Sequence, residues 1–192
     1  MLILASASPR RRELLDQIGL TFEVETADID ETPQLGEEPV AYTRRLAEHK
    51  ASAVFARLRQ QGRNPERLVV LGADTTVVCD GKILGKPEDE DDAARMLRML
   101  AGKQHRVVTG VAVITGTAVP LLEAEVTLVE MNALTEQHIA DYVATGEPLG
   151  KAGAYAIQGR AARFIPRIEG CYFNVVGLPL ARVSSMLAKL QR

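Results

Sequence analysis

Three consecutive arginines, Arg10, Arg11 and Arg12, directly follow Ser6-Ala-Ser-Pro9. Ser8 as N-cap, with Pro9 at the first helical position, predicts that they occupy the opening turn of a helix. That end already carries unpaired N–H groups and the positive pole of the helix dipole, so stability alone would favour acids there. Guanidinium groups in this place suit an anion, and phosphate above all. A solvated basic turn paired in part with Glu13 accounts for one arginine comfortably, not for three. A second candidate is Asp74, which follows an apolar run at 68–71 and Gly72-Ala73. The run reads as a strand buried on both faces, and its C-terminal edge is where open α/β sheets handle ligands. Asp74 can accept hydrogen bonds from Thr75 or Thr76 in a turn, but so apolar a setting favours a pairing group or a metal.

The remaining candidates are more scattered. Asp28, Asp30 and Glu31 suit either a solvated turn or a carboxylate offered to a divalent ion. Lys50 lies at the edge of a helix's apolar stripe, where a lysine ordinarily runs its stem out to water. Lys86 sits in Gly85-Lys-Pro87, which a hairpin turned at Asp80-Gly81 returns toward the sheet end carrying Asp74. The glycine-spaced segment that begins at Glu147 carries Lys151 and Gln158 as long polar side chains. The acids at 88–92 read as the first turn of a helix rather than as catalytic groups. His49, His105 and His138 are dispersed and read as structural.

Positioning these groups requires an alternation of strands and helices. A strand at 2–5 leads into the arginine helix, with Leu14, Leu15 and Ile18 on its apolar side and Gly19 as its stop. A short strand at 21–26 precedes a helix at 39–61 that buries Val40, Leu46, Ala47, Ala51, Val54 and Leu58. Strand 75–79 pairs with 82–84, and a helix at 91–101 ends at Gly102. β-Branched runs at 107–115 and 121–131 form a second hairpin. Gly72-Ala73 and Thr109-Gly110 leave room for a ligand or a crossing chain to approach the backbone. Thr135 caps a helix to about Ala144. Runs at 163–168 and 171–176 predict a third hairpin, and a helix at 179–190 buries Leu180, Val183, Met186, Leu187 and Leu190. The class is α/β with a mixed sheet.

The chain of 192 residues, 46% hydrophobic and 25% charged, is the length of one domain, 1–192. Its net charge of −2 argues against a protein that coats nucleic acid or anionic membrane. With four Phe, four Tyr and no Trp, stacking platforms for an oligonucleotide are few. Cys79 and Cys171 match no metal spacing, and two thiols in a chain whose apolar start breaks at Pro9 point to the cytoplasm. Phosphate-loop, dinucleotide and zinc-helix signatures are absent.

Leu4-Ala-Ser-Ala-Ser-Pro-Arg-Arg11, Leu71-Gly-Ala-Asp-Thr75, Gly85-Lys-Pro87, Lys151-Ala-Gly-Ala-Tyr-Ala-Ile-Gln-Gly159 and Val175-Val-Gly-Leu-Pro179 resemble, in order, the signatures of the Maf nucleotide pyrophosphatases. The resemblance implies an elongated mixed β-sheet flanked by helices, in two α/β lobes with the site in the cleft between them. It also implies a cytoplasmic homodimer that splits a nucleoside triphosphate between the α- and β-phosphates with Mg2+ or Mn2+. Nucleic acid and membrane are not expected partners. Carried onto this sequence, Asp74 is the general base and a metal carboxylate, and Glu31 is the second metal carboxylate, with Asp30 next door leaving that alignment open. Ser6, Arg10 and Arg11 cradle the triphosphate, Lys50 and Lys86 face the leaving pyrophosphate, and Thr75 and Gln158 lie near the phosphates or base. The Ile-Gln-Gly form of the fourth signature resembles the subfamily acting on dTTP and UTP, where an amide suits the imide edge of the base. The alternatives are a 7-methyl-GTP pyrophosphatase and a non-catalytic, nucleotide-binding regulator of cell division.

Overall fold

Residues 2–5 form β1 (Leu2–Ala5), whose Ile3, Leu4 and Ala5 are shut off from solvent. A computed structural model describes residues 1–191 of the chain. Strand β1 pairs in parallel with β2 (Phe22–Glu25) on one side and β3 (Val69–Cys79) on the other. Helix α1 (Pro9–Gln17) links β1 to β2, and helix α2 (Pro39–Gln60) precedes β3. Strand β3 turns at Asp80-Gly81, both at positive φ, into antiparallel β4 (Lys82–Leu84). After helix α3 (Glu90–Leu100), β5 (Gln104–Thr115) and β6 (Leu121–Glu130) are the long strands. Helix α4 (Glu136–Val143) precedes β7 (Arg167–Glu169), which pairs antiparallel with β6. Helices α5 (Tyr172–Val176) and α6 (Leu180–Ala188) follow. The seven-stranded mixed sheet has the order β2-β1-β3-β5-β6-β7, with β4 on β3.

The chain divides into two units. The first comprises residues 1–74, 109–125 and the chain from Gly177 onward, and the second comprises 75–108 and 126–176. The first unit's core joins Ile3 and Ala5 of β1, Ala47, Ala51, Val54 and Leu58 of α2, Val70 of β3 and Ala112 and Ile114 of β5. Small residues let α2 lie unusually close. A Cβ on Gly72 would fall 2.2 Å from the Ala47 carbonyl oxygen, and one on Gly110 would fall 2.3 Å from the Thr43 backbone. The room at these glycines is therefore taken by a helix backbone, which neither local sequence reveals. In the second unit, the Thr135 hydroxyl caps α4 by accepting the His138 N–H, and His138 Nδ1 returns a bond to the Thr135 N–H. Asp89 caps α3 by accepting the Asp92 N–H, while Asp92 Oδ2 accepts the Glu88 N–H.

Several expectations shift. Ser8 is the N-cap of α1 but makes no side-chain cap bond, and Ile18 ends the helix 39% exposed. Strand β3 does not end before Asp74 but runs through it. The third hairpin is half wrong. Residues 160–164 form a 3-10 turn before β7, and 172–176 are helical. The cause is Thr127, whose Oγ1 bonds both the N–H and the carbonyl of Cys171 and accepts from the buried Asn174 amide. A helical turn brings positions 171 and 174 to one atom, whereas an extended chain would separate them by roughly 10 Å. In α6 only Leu180, Val183 and Met186 are buried, while Leu187 and, in the 3-10 turn that follows, Leu190 are half-buried.

Candidate active site

The arginine turn separates by direction. Arg11 faces inward and is buried, its Nε donating to the Gly177 carbonyl at 2.8 Å. Its Nη1 donates to Ala73 O at 2.9 Å and Ser6 Oγ at 3.0 Å. Burial pulls the guanidinium below its ordinary pKa, and Asp74 opposes that pull. It remains a cation, since arginine does not deprotonate in proteins. The expectation for Arg11 as a phosphate cradle thus changes: its donors hold together the loop after β1, the residue before Asp74 and the turn before α6. Arg10 is half-buried, and among the described residues no hydrogen bond or ion pair occupies its guanidinium; burial lowers its pKa, and the charge of Glu13 opposes that pull. Arg12 is exposed. The Ser6 hydroxyl accepts from Arg11 and from the Ser8 N–H at 3.2 Å, which leaves its own proton to donate.

Asp74 lies just past the last β1–β3 pair, Ala5 with Gly72, and is 8% exposed. The close seat of α2 brings Lys50 to it, Nζ to Oδ1 at 2.6 Å. The same ammonium meets Glu31 Oε1 at 2.7 Å. Lys50 therefore does not run to water: it joins two carboxylates from different segments, and its side chain is only 13% exposed. The Glu31 loop is pinned by α2. Tyr42 donates its hydroxyl to the Glu31 carbonyl at 3.0 Å, and Arg45, paired with Glu37, donates to Thr32 O. Burial, with the negative charges of Asp74 and Glu31, pushes the Tyr42 hydroxyl up to about 12. Asp30 spends an oxygen on the Thr32 N–H and behaves as a turn acid, so Glu31 is the carboxylate presented to Lys50.

Ser6, Arg10, Arg11, Glu31, Lys50 and Asp74 all belong to the first unit. Thr75, Lys86 and Gln158 belong to the second. Thr75 is half-buried directly after Asp74, while Lys86 and Gln158 are exposed. The Gly153 N–H donates to the Gly85 carbonyl at 3.0 Å, which ties the Lys86 loop to the Lys151–Gly159 stretch. Gly153 has φ +68°, and a Cβ there would meet Val77 at 2.8 Å, so glycine is required twice over. Tyr155 is buried against His105, with its hydroxyl 2.8 Å from Nε2. Tyr42 and the Gly177 carbonyl are site-building groups that spacing did not single out. The sequence Val175-Val-Gly-Leu-Pro179 was the signal for the second, but it carried no role until Arg11 was seen to reach it.

Two carboxylates sharing one ammonium, with a half-buried guanidinium at the start of α1 in the same unit, suit a cation-assisted reaction of a phosphate ester. Residues 1–190 match the family model described as Maf-like protein. Curated relatives named dTTP/UTP pyrophosphatase include one from Pelotomaculum thermopropionicum, 54% identical over 98% of this chain and 95% of that one. Another, from Koribacter versatilis, is 50% identical over 98% of this chain and 93% of that one. Similarity to solved structures is lower: a nucleoside-triphosphatase, dITP/XTP pyrophosphatase, from Mycobacterium abscessus gives a TM-score of 0.41 at 13% identity, covering 69% of this chain and 74% of that chain. The family match spans both units and every residue of the Lys50 ion-pair cluster, and on it the chain belongs to the Maf family.

Proposed function

We propose that this protein is a metal-dependent pyrophosphatase that hydrolyses dTTP and UTP, and modified pyrimidine nucleotides of the same edge chemistry, to the monophosphate and pyrophosphate. The observation that carries the reading is the convergence of Glu31 and Asp74 on one cationic centre, at 2.7 and 2.6 Å from Lys50 Nζ. The substrate follows from the relatives' names and from Gln158-Gly159. The carboxylate pair fits Mg2+ or Mn2+. Among the described residues no cluster of three or more metal-type side chains exists, and Mg2+ characteristically takes one or two carboxylates and completes its shell with substrate phosphates and water. Bound there, such a cation would polarise the phosphate and acidify the attacking water.

The chain's own groups do the rest. Asp74 accepts the proton of the water whose oxygen bonds to the α-phosphorus. The bond from that phosphorus to the α,β-bridging oxygen breaks, and pyrophosphate leaves with the electron pair. Ser6, by its hydroxyl proton, and Arg10, by its guanidinium, hold phosphate oxygens. Glu31 and Asp74 would hold the cation, and Lys50 and Lys86 offset the charge of the leaving group. Arg11 holds Ala73 and Ser6 in place and leaves its charge beside Asp74. Gln158 reads the imide edge of the base, and Thr75 supports the phosphates. A homodimer in the cytoplasm completes the reading, supported by family membership and by two free thiols, Cys79 and Cys171. No helix among the described residues is long and apolar enough to cross a membrane.

The test is product analysis with Mg2+ or Mn2+ against dTTP, UTP, CTP, GTP and 7-methyl-GTP, for the native protein and Asp74→Asn. Pyrophosphate from dTTP and UTP that disappears in the variant is expected. Orthophosphate instead, or nucleotide binding with no metal-dependent turnover, would sink the proposal in favour of a binding regulator.

A further inference from the structure

Glu147 follows α4 and opens the segment that ends at Gln158-Gly159. Both of its carboxylate oxygens are committed to that segment and to the helix before it. Tyr142 donates its hydroxyl to Oε1 at 2.7 Å, and the Arg160 N–H donates to Oε2 at 3.1 Å. The Tyr142 hydroxyl, wholly buried, accepts in turn from the Ala156 N–H at 3.2 Å. The Gly159 N–H closes the turn on the Ala156 carbonyl at 3.0 Å. The backbone is thereby held on both sides of Gln158, at 156 and at 160.

Gly159 reports the same contact from the other side. Its φ of −106° needs no glycine. A Cβ there would instead lie 2.4 Å from Glu147 Oε2 and 2.5 Å from Cδ, so it is the carboxylate that excludes a side chain. Every group aimed at Glu147 is a donor, which requires the ionised acid. Burial pushes the carboxyl up, but the Arg160, Tyr142 and Ala161 donors and the charge of Lys151 outweigh it and hold Glu147 below its ordinary value. Ala156 and Ile157 are buried, and Gln158 is the exposed member of the held stretch.

We propose that Glu147, acting with Tyr142, is a specificity-positioning residue: it fixes the turn from which Gln158 reads the pyrimidine. This rests on the proposed role of Gln158. An amide that is free to turn over pairs as well with the N3 acceptor and 4-amino donor of cytosine as with the N3–H and O4 of uracil. Discrimination needs a frame held to a fraction of an ångström, which the carboxylate provides.

The experiment compares kcat and KM for UTP and CTP in the full-length protein with Mg2+, for the native chain, Gln158→Ala, Glu147→Gln and Tyr142→Phe. In Glu147→Gln an amide N–H faces donors, so the UTP-over-CTP ratio of kcat/KM falls roughly tenfold, the scale of one hydrogen bond to a charged group. The loss is expected in KM for UTP, with kcat within about twofold, because Asp74 is untouched. Tyr142→Phe loses about threefold in the ratio, and it decides the matter if Glu147→Gln does not fold. An unchanged ratio in the Glu147 and Tyr142 variants, while Gln158→Ala collapses it, overturns the positioning role and leaves the base-reading role standing. An intact ratio in Gln158→Ala overturns both. Equal loss of kcat on both nucleotides reduces Glu147 to a structural anchor and also overturns the proposal.

Discussion

Gly72→Ala tests the element that assembles the ion-pair cluster. The new Cβ would sit 2.2 Å from the Ala47 carbonyl oxygen, 2.9 Å from Ala51 Cβ and 3.1 Å from the Ala51 nitrogen, against 3.4 Å for the onset of an ordinary contact. Relief requires about 1.2 Å of movement at the nearest atom, and two of the three atoms are backbone, which no rotamer change can move aside. Gly72 is itself registered against Ala5 of β1, so β3 cannot simply retreat, and α2 must lift. Overpacking typically costs 1–3 kcal/mol, and a backbone clash of this depth belongs near ~3 kcal/mol. At roughly 2–4 °C per kcal/mol for a chain of this size, Tm should fall by about 6–12 °C. Lys50 rides on α2 one turn beyond Ala47, so the 2.6 Å contact with Asp74 stretches as well, and turnover of UTP should drop at temperatures where the variant is still folded. Gly85→Ala is the control: a Cβ there meets nothing within 4 Å and its φ is not in the left-handed region, so its Tm should stay within about 2 °C of native. Thermal melts of both variants with matched UTP assays are sufficient. A native Tm for Gly72→Ala would refute the argument that glycine at 72 serves the approach of a helix.

Two further outcomes follow from the same geometry. Lys50→Met removes the ammonium that competes for Glu31 and Asp74, so Mn2+ alone, titrated by electron paramagnetic resonance without nucleotide, should bind about tenfold more tightly, although turnover falls. Unchanged or weaker Mn2+ binding would remove those carboxylates as the metal pair. His105 is 2% exposed, and burial lowers its pKa from 6.5 to about 4. Between those values the unfolded chain takes up a proton that the folded one refuses, so stability is full above pH 6.5 and is lost as pH falls toward 4. The loss approaches ~3 kcal/mol near pH 4, and below that this residue adds no further loss. Urea melts of native and His105→Gln protein at pH 7, 5.5 and 4 should converge or cross by that amount, whereas a constant difference would contradict it.

What was legible in the sequence was decided over short stretches. Pro9 opens α1 and Gly19, at φ +71°, stops it, because a fixed φ and a missing Cβ act within a few residues. The Asp80-Gly81 hairpin and the Thr135 cap were readable for the same reason. The candidate residues themselves were legible too, since three guanidiniums at a helix start and a carboxylate in an apolar run are costly without a partner.

Only tertiary structure decided which partner each one took. Arg11 bonds to oxygens 62 and 166 residues away and is buried, while its neighbour Arg10 is half-buried. Lys50 finds Asp74 because Gly72 and Gly110 admit α2 close to the strands, and a glycine alone does not say whether a ligand or a helix fills its space. Glu31 was separated from Asp30 by a hydroxyl on α2 and a turn bond, not by spacing. Residues 172–176 became a helix because Thr127, on another strand, offered one oxygen to two positions of the run. The sequence by itself determined most of the elements, though not the helix at 172–176, and the chemical inventory, which depend on local sterics and on the cost of burying charge. The fold determined direction and pairing, because those energies depend on atoms that meet only after the chain has closed.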